Sequence, residues 1–299
     1  MLKPPRSAYI HIPFCHRRCF YCDFAIVPLG DNADSNGGVG SKTINDYLFF
    51  LKKEILSIKH KSPLSTIYIG GGTPSILNPN QIKDLIDIFK LNYGIDNGAE
   101  ITMEVDPASF NETDLFGFIK AGVNRFSLGG QSFNNTLLEK AGRRHTFEDL
   151  ENSCGWLQKA YSDRLIRSWS LDLIQDLPSS NLDLWAIDLE KALTFKPPHI
   201  SIYDLNIEDG TVFQRMIEIG KIALLNDEES FQNSKLTNSI LRKSGFSRYE
   251  ISNYSIPGHQ SRHNRVYWKG IGWWSFGQGS TSAPWGIKFT RPRISQDYK

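Results

Sequence analysis

Three of the four cysteines in this chain, Cys15, Cys19 and Cys22, lie on one short stretch with the spacing Cys-x-x-x-Cys-x-x-Cys. Three thiolates on one tight loop are soft donors suited to zinc or to an iron–sulfur cluster. A four-iron cluster has four iron corners, so three cysteines would leave one iron open to an exchangeable ligand, as catalytic zinc sites keep one position open. Two plainer readings compete. A structural zinc site would add His11 or His16 to the three thiolates. A disulfide pairing fits poorly with three cysteines on one loop and nothing that looks secretory. Cys154 has no close cysteine partner in sequence and reads as a small apolar residue in a helix.

The elements that must position this loop follow from the pattern of the chain. Tyr9–Ile12 is a short apolar strand leading into it, and Asp31 to Gly40 is a polar, glycine-rich surface loop. Tyr47 to Ile58 has apolar residues at helical spacing. Strands are then expected at Thr66–Ile69, Glu100–Val105, Arg125–Leu128, Trp169–Ile174 and His199–Leu205. Helices fall between most of them. One starts at the Asn78 cap with Pro79 at its first position, one runs from the Asn111 cap to Gly122, one opens on Thr146 through Asp149, and one spans Leu182 to Phe195. Six strands alternating with helices argue for a parallel α/β sheet, open or closed into a barrel. Beyond Leu205 the alternation fades: Asp227 to Ser244 is expected helical and Phe246 to Ser252 a strand, and glycine and tryptophan crowd the stretch Trp268 to Trp285. The division that results is a core of residues 1–210 and a smaller α+β extension of residues 211–299.

The flanks of the cysteines carry a family signature. Tyr9-Ile10-His11-Ile12-Pro13-Phe14-Cys15 and Cys19-x-Tyr21-Cys22-Asp23-Phe24 resemble the radical S-adenosylmethionine (SAM) superfamily, in the branch that holds oxygen-independent coproporphyrinogen III oxidase (HemN) and the haem chaperone HemW. The resemblance implies a partial (β/α)6 barrel, a [4Fe-4S] cluster on Cys15, Cys19 and Cys22, and SAM chelated to the open iron and cleaved to a 5′-deoxyadenosyl radical. In parallel barrels the chemistry sits at the C-terminal ends of the strands. The cysteine loop, Gly70-Gly71-Gly72-Thr73-Pro74, Glu104 and Gln131 are all expected there.

SAM presents an amine, a carboxylate, a ribose diol, an adenine and a sulfonium. The resemblance assigns the amine to Gly71, Gly72 and Thr73, the ribose hydroxyls to Glu104 and the adenosyl part to Asp172, and it puts Gln131, Tyr9 and Tyr21 near SAM and the cluster. Arg143 would grip the SAM carboxylate with its planar fork, with Arg144 as competitor. Two of these have a plain alternative: GGGTP as an ordinary turn, Glu104 as a solvated acid at a strand end. Gly130 stands where the family usually has valine and Asp176 where it has glycine, two departures expected to loosen packing or weaken SAM binding.

Two features separate the branches. The oxidase branch has a fourth cysteine where this chain has Phe24, and it carries a long segment before the motif that is lacking here. His263-Asn264-Arg265-Val266-Tyr267-Trp268 resembles the HemW motif linked to haem, with His263 as candidate axial ligand, His259 as rival, and a hydrogen-bonded structural histidine as the plain reading. The expected function is therefore a haem carrier with a SAM-binding cluster, and coproporphyrinogen III oxidase is the alternative. Haem, an unidentified haem acceptor and an electron donor are the implied partners, with a homodimer possible. Relatives continue into a C-terminal helical segment, so the extension reads as shortened. The formal net charge of +2 gives no basic field for nucleic acid, and no apolar run is long enough to span a bilayer. The N-terminus reads as neither a signal nor a transit peptide, which points to the cytoplasm, or to an organelle matrix after removal of a presequence.

Overall fold

The computed structural model describes residues 4–30, 39–58 and 61–298, with Val39 by its backbone alone. Residues 31–38 of the expected glycine-rich loop lie outside the described residues. In chain order the elements are β1 (Ser7–Ile12), β2 (Phe14–Cys15), β3 (Val27–Pro28), α1 (Val39–Ser57), β4 (Leu64–Gly71), α2 (Pro79–Asn92), β5 (Ile95–Val105), α3 (Glu112–Ala121) and β6 (Arg125–Gln131). There follow α4 (Asn135–Lys140), α5 (Phe147–Ser162), β7 (Ser168–Gln175), α6 (Leu182–Thr194), β8 (His199–Asp204), α7 (Val212–Glu218) and α8 (Asp227–Lys243). The chain finishes with β9 (Ser247–Arg248), β10 (Asn253–Ser255), α9 (Asn264–Trp268), β11 (Trp274–Phe276), β12 (Thr281–Ser282), β13 (Phe289–Thr290) and α10 (Ser295–Tyr298).

The six expected strands are β1, β4, β5, β6, β7 and β8, and they lie side by side in that order, all parallel. With helices crossing between them they form a partial (β/α)6 barrel. Local signals place the crossovers. Asn78 and Gln81 close a reciprocal capping box on α2, Asn111 and Asp114 on α3, and Thr146 and Asp149 on α5, where aspartate serves in place of the usual longer acid. Gly122 ends α3 in the left-handed conformation that glycine adopts without strain.

Helix α1 starts about two turns before the expected Tyr47. Ile44 is buried with Tyr47, Leu48, Leu51 and Ile55, so the apolar stripe extends upstream at helical spacing. Of the strand expected over Phe246–Ser252, Ser247–Arg248 forms as β9, and it pairs antiparallel with β10, which begins just past that stretch at Asn253. The chain turns between them as Arg248 donates to the carbonyls of Glu250 and Ile251.

Residues 211–299 share the sheet of the core. Strand β11 adds parallel to β1 at one edge, and β10 adds antiparallel to β8 at the other. Between them, residues 256–268 close the end of the barrel where the strands begin. Arg125, the first residue of β6, donates to the His259 carbonyl (3.0 Å). His259 Nδ1 is 3.1 Å from the hydroxyl of Ser168, which opens β7. The His263 N–H donates to Glu100 of β5 (3.0 Å). The HNRVYW stretch is thus a floor, at the opposite end of the barrel from the cysteine loop.

Candidate functional site: a cysteine loop over a polar barrel mouth

The cysteine loop is stapled at several points. Phe14–Cys15 pairs with Val27–Pro28, the Cys22 N–H donates to the Cys19 carbonyl (3.2 Å), and the Phe20 N–H to that of Ala141 (3.0 Å). Arg18 donates to the carbonyls of Cys22 and Phe24, both at 3.0 Å. The three cysteines face a cavity of about 380 Å³ at the C-terminal ends of the strands, within the size range of small-molecule sites. Gly71, Gly72, Thr73, Glu104, Gln131, Arg143 and Asp172 line the same cavity, as do Tyr21 and Arg144. Residues separated by as many as 191 positions in sequence, from Cys15 to Asn206, therefore meet at one mouth.

The donor set suits a metal cluster. All four cysteines are free thiols. Burial pushes the Cys15 thiol up to about 12 and raises Cys22 as well. Buried thiols of this kind become thiolates when a bound metal supplies positive charge. Thr73 Oγ1 donates to Cys15 Sγ (3.4 Å) and Arg143 Nη1 to Cys19 Sγ (3.3 Å), which favours sulfur as an anion. Gly72 lets the two loops approach: a Cβ there would lie 2.9 Å from Cys15 Sγ and 2.6 Å from the Phe14 carbonyl. His11 is committed elsewhere, with Nδ1 3.1 Å from the Tyr9 hydroxyl and Nε2 2.9 Å from the Ala25 carbonyl.

The groups that the resemblance assigns to SAM are held individually. Gly71 N–H donates to Glu104 Oε2 (3.0 Å), Gly72 N–H to the Ile12 carbonyl and Thr73 N–H to that of Phe14. With these donors spent, the GGGTP loop offers acceptors, which is what a ligand amine needs. The other Glu104 oxygen accepts from the Tyr68 hydroxyl (2.8 Å). Burial pushes the Glu104 carboxyl up to about 7, against the pull of these two hydrogen bonds. Asp172 accepts from Ser127 (2.7 Å) and Ser170 (2.8 Å), and burial raises its pKa against those serines and Ser201.

Gln131 follows the register shift between β6 and β7 and has φ +60°, a strained conformation of the kind that collects at ligand sites. Its Oε1 is buried without a partner, as is Arg143 Nε. Both orphans belong to side chains that line the cavity.

Arg143 is more tied down than its sequence suggests. Its guanidinium pairs with Asp106 and donates to the Gly129 carbonyl (3.1 Å), with His145 Nδ1 3.3 Å away. Burial pushes the Asp106 carboxyl up, but Arg143, with His145 and the Ala108 N–H, outweighs it and holds it below the usual range. Arg144 is exposed on the rim. Asp106, Ser127, Tyr203 and Tyr68 were not singled out from the sequence. Asp106 is the second acid of the MEVDP segment and could have been flagged; the others are ordinary strand residues there.

Three expectations change. Tyr9 does not border the cavity. Its ring stacks on Tyr68 (6.0 Å) and its hydroxyl meets His11, two residues along on the same face of β1, so it supports Tyr68 from behind. Gly130 and Asp176 do not line the cavity either. Leu171 and Leu150 already fill the space beside Gly130, where a Cβ would lie 2.9 and 3.1 Å from them. Asp176 takes φ +67°, which aspartate tolerates better than most residues, and accepts from Asn233 (2.7 Å) on α8. The third concerns His263, expected as a haem ligand. It is 0% exposed, with Nδ1 2.8 Å from Thr66 Oγ1 and Nε2 2.8 Å from the Tyr267 hydroxyl. Neither nitrogen faces an open space that could admit a porphyrin, and burial lowers its pKa to about 3. His259 is likewise engaged, by Ser168 and by Tyr161.

Residues 9–174 match the radical SAM superfamily. The chain is 40% identical to the heme chaperone HemW of Synechocystis sp., over 98% of this chain and 70% of that protein. It is 35% identical to HemW of Lactococcus lactis, over 97% and 72%. Among solved structures, the coproporphyrinogen III oxidase (HemN) of Escherichia coli superposes with a TM-score of 0.81 at 22% identity, over 98% of this chain and 68% of that one. At that identity the likeness speaks for the fold. The motif loop, the barrel beneath it and these near-full-length identities together make the chain a member of the radical SAM superfamily and, within it, of the HemW family.

Proposed function

We propose that this protein is a haem carrier that holds a SAM-binding [4Fe-4S] cluster and passes haem to an acceptor. The observation that carries the reading is the identity, over nearly all of this chain, to proteins named heme chaperone; a mouth that gathers three cysteines with polar side chains supports it. Cys15, Cys19 and Cys22 would each hold one iron. When bound, the cluster supplies one electron for reductive cleavage of SAM. The carbonyls of the GGGTP loop take the SAM amine, and Glu104 accepts from the ribose hydroxyls. Gln131 and Asp172 meet the rest of the adenosyl group. Arg143, shared between Cys19 and Asp106, and Arg144 on the rim compete for the SAM carboxylate.

Phe24 favours this reading over coproporphyrinogen III oxidase. It stands at the fourth-cysteine position of that branch, and it is 59% exposed on the edge of the mouth. An electron donor and a haem acceptor are the partners the reading calls for, in a reducing compartment such as the cytoplasm. No helix among the described residues is long and apolar enough to cross a membrane.

The test begins with anaerobic reconstitution and analysis of iron and sulfide, followed by hemin titration with and without SAM. Stoichiometric iron and sulfide, lost in Cys19→Ser, and a saturable Soret band are expected. Vinyl product from coproporphyrinogen III under reducing conditions would overturn the carrier reading, as would the lack of a saturable band.

A further inference from the structure

The barrel interior beneath the mouth holds polar groups that the SAM site does not itself contact. Ser170 on β7 and His199 on β8 are buried there, with His199 Nδ1 2.7 Å from Ser170 Oγ, and neither residue lines the cavity. Toward the mouth, Ser170 Oγ meets Asp172 Oδ1 (2.8 Å). Toward the floor, His199 Nε2 meets the Tyr249 hydroxyl (2.8 Å), and that hydroxyl accepts from the Ser261 N–H (3.1 Å). These contacts make one unbroken relay of hydrogen bonds from the floor to a side chain of the cavity.

The relay has a direction, and its floor end sets it. A backbone N–H can only donate, so the Tyr249 oxygen accepts from Ser261. Among the described residues the other partner of that hydroxyl is His199 Nε2, so the Tyr249 hydrogen goes there. Burial, with Arg125 and His259 nearby, keeps the imidazole neutral, with a single ring proton. An imidazole that accepts at Nε2 carries that proton on Nδ1 and donates it to Ser170. The Ser170 hydrogen is then left for Asp172. The opposite tautomer would strand the Tyr249 hydrogen and turn the Ser170 hydrogen away from Asp172, toward Nδ1. With Ser127 on Oδ2 (2.7 Å) and Ser170 on Oδ1, both oxygens of the carboxylate are held, and donors aligned head to tail strengthen one another.

We propose that His199 and Tyr249 are positioning residues for SAM: together they hold the Nδ1–H tautomer and so orient Asp172, from the floor of the barrel, for the adenosyl group. The proposal rests on the reading of Asp172 as a SAM-binding group. It gives a use to a buried histidine that touches neither the cluster loop nor the cavity.

The test has two readouts. The first is imidazole nitrogen NMR of the full chain with isotopically labelled histidine, the His199 signals being assigned by their loss in His199→Leu. Nδ1–H, the minor form of free histidine, is expected, and Nε2–H would overturn the proposal. The second is the SAM affinity of the anaerobically reconstituted chain by equilibrium dialysis, above the Glu104 midpoint of about 7. Ser170→Ala should weaken binding about tenfold and Tyr249→Phe about threefold. In the double variant the Tyr249 change should cost nothing further, because its effect passes through Ser170. Tyr161→Phe, whose hydroxyl meets His259 Nε2 (3.2 Å) in the same floor but is outside the relay, should bind as wild type does. Additive losses, or equal weakening in Tyr161→Phe, would mean a general loosening of the floor and would overturn the proposal. So would unchanged affinity in Tyr249→Phe. Each of these outcomes leaves the SAM reading of the mouth standing, whereas a wild-type chain that binds no SAM would overturn both.

Discussion

Removing the Tyr68 hydroxyl tests how the barrel interior prepares Glu104 for SAM. In Tyr68→Phe the ring remains to stack on Tyr9 and to meet the tilted His263 ring (5.2 Å), while Glu104 loses the donor at 2.8 Å and keeps the Gly71 N–H at 3.0 Å. A hydrogen bond to an ionised group contributes about 1.5–3 kcal/mol, which corresponds to a rise of about 1–2 pH units in the Glu104 midpoint. The direction follows from the sign. Burial already lifts the carboxyl to about 7, and Tyr68 favours the charged form, so its loss lifts the midpoint further. If the carboxylate is the ribose acceptor, wild-type SAM affinity climbs as pH rises through about 7 and then levels. The variant should bind roughly three- to twentyfold more weakly near about pH 7.5 and recover above about pH 9. Anaerobic equilibrium dialysis with SAM across that range reads the effect, and Glu104→Gln should give weak binding that does not respond to pH there. A Tyr68→Phe profile superimposable on wild type would refute the reasoning.

Three other outcomes are expected. Gly72→Ala should cut iron incorporation on reconstitution, because the new methyl meets Cys15 Sγ and the Phe14 carbonyl; full iron content would mean that the loops can move apart. Gly130→Val, which restores the residue usual in the family, should destabilise this chain by about 1–3 kcal/mol in urea unfolding by overpacking against Leu150 and Leu171. Acid should destabilise the fold through its buried neutral histidines. Burial lowers His263 to about 3, and burial with the nearby Arg143 lowers His145 to about 4. Their stabilising contribution is complete above the unfolded value of about 6.5 and is lost below it, at about 1.4 kcal/mol per pH unit for each histidine. His263→Gln should therefore flatten the fall of unfolding free energy between about pH 6.5 and 5, and an unchanged slope would contradict the buried, neutral state.

Much of the site was legible before any coordinates. Cysteine spacing is local, so the loop Cys15–Cys22 carries its chemistry in one reading frame. Strand-end glycines and acids are also local marks, because an alternating α/β chain must bring successive strand ends to one face. Gly71, Gly72, Thr73, Glu104, Gln131, Arg143 and Asp172 meet at that mouth for this reason. Capping boxes at Asn78, Asn111 and Thr146 depend on residues three apart, and they were equally readable.

What remained hidden depends on partners distant in sequence. Tyr68 looks like any strand aromatic until the neighbouring strand sets Glu104 beside its hydroxyl, and Arg143 looks unencumbered until Asp106 is folded against it. His263 shows the limit most clearly. Its motif announces a histidine with aromatic neighbours, which is equally the description of an iron ligand and of a packed floor. Spacing along a chain determines which donors can converge; only the closed barrel decides which lone pairs are already spent, because that depends on what the rest of the chain has packed against them.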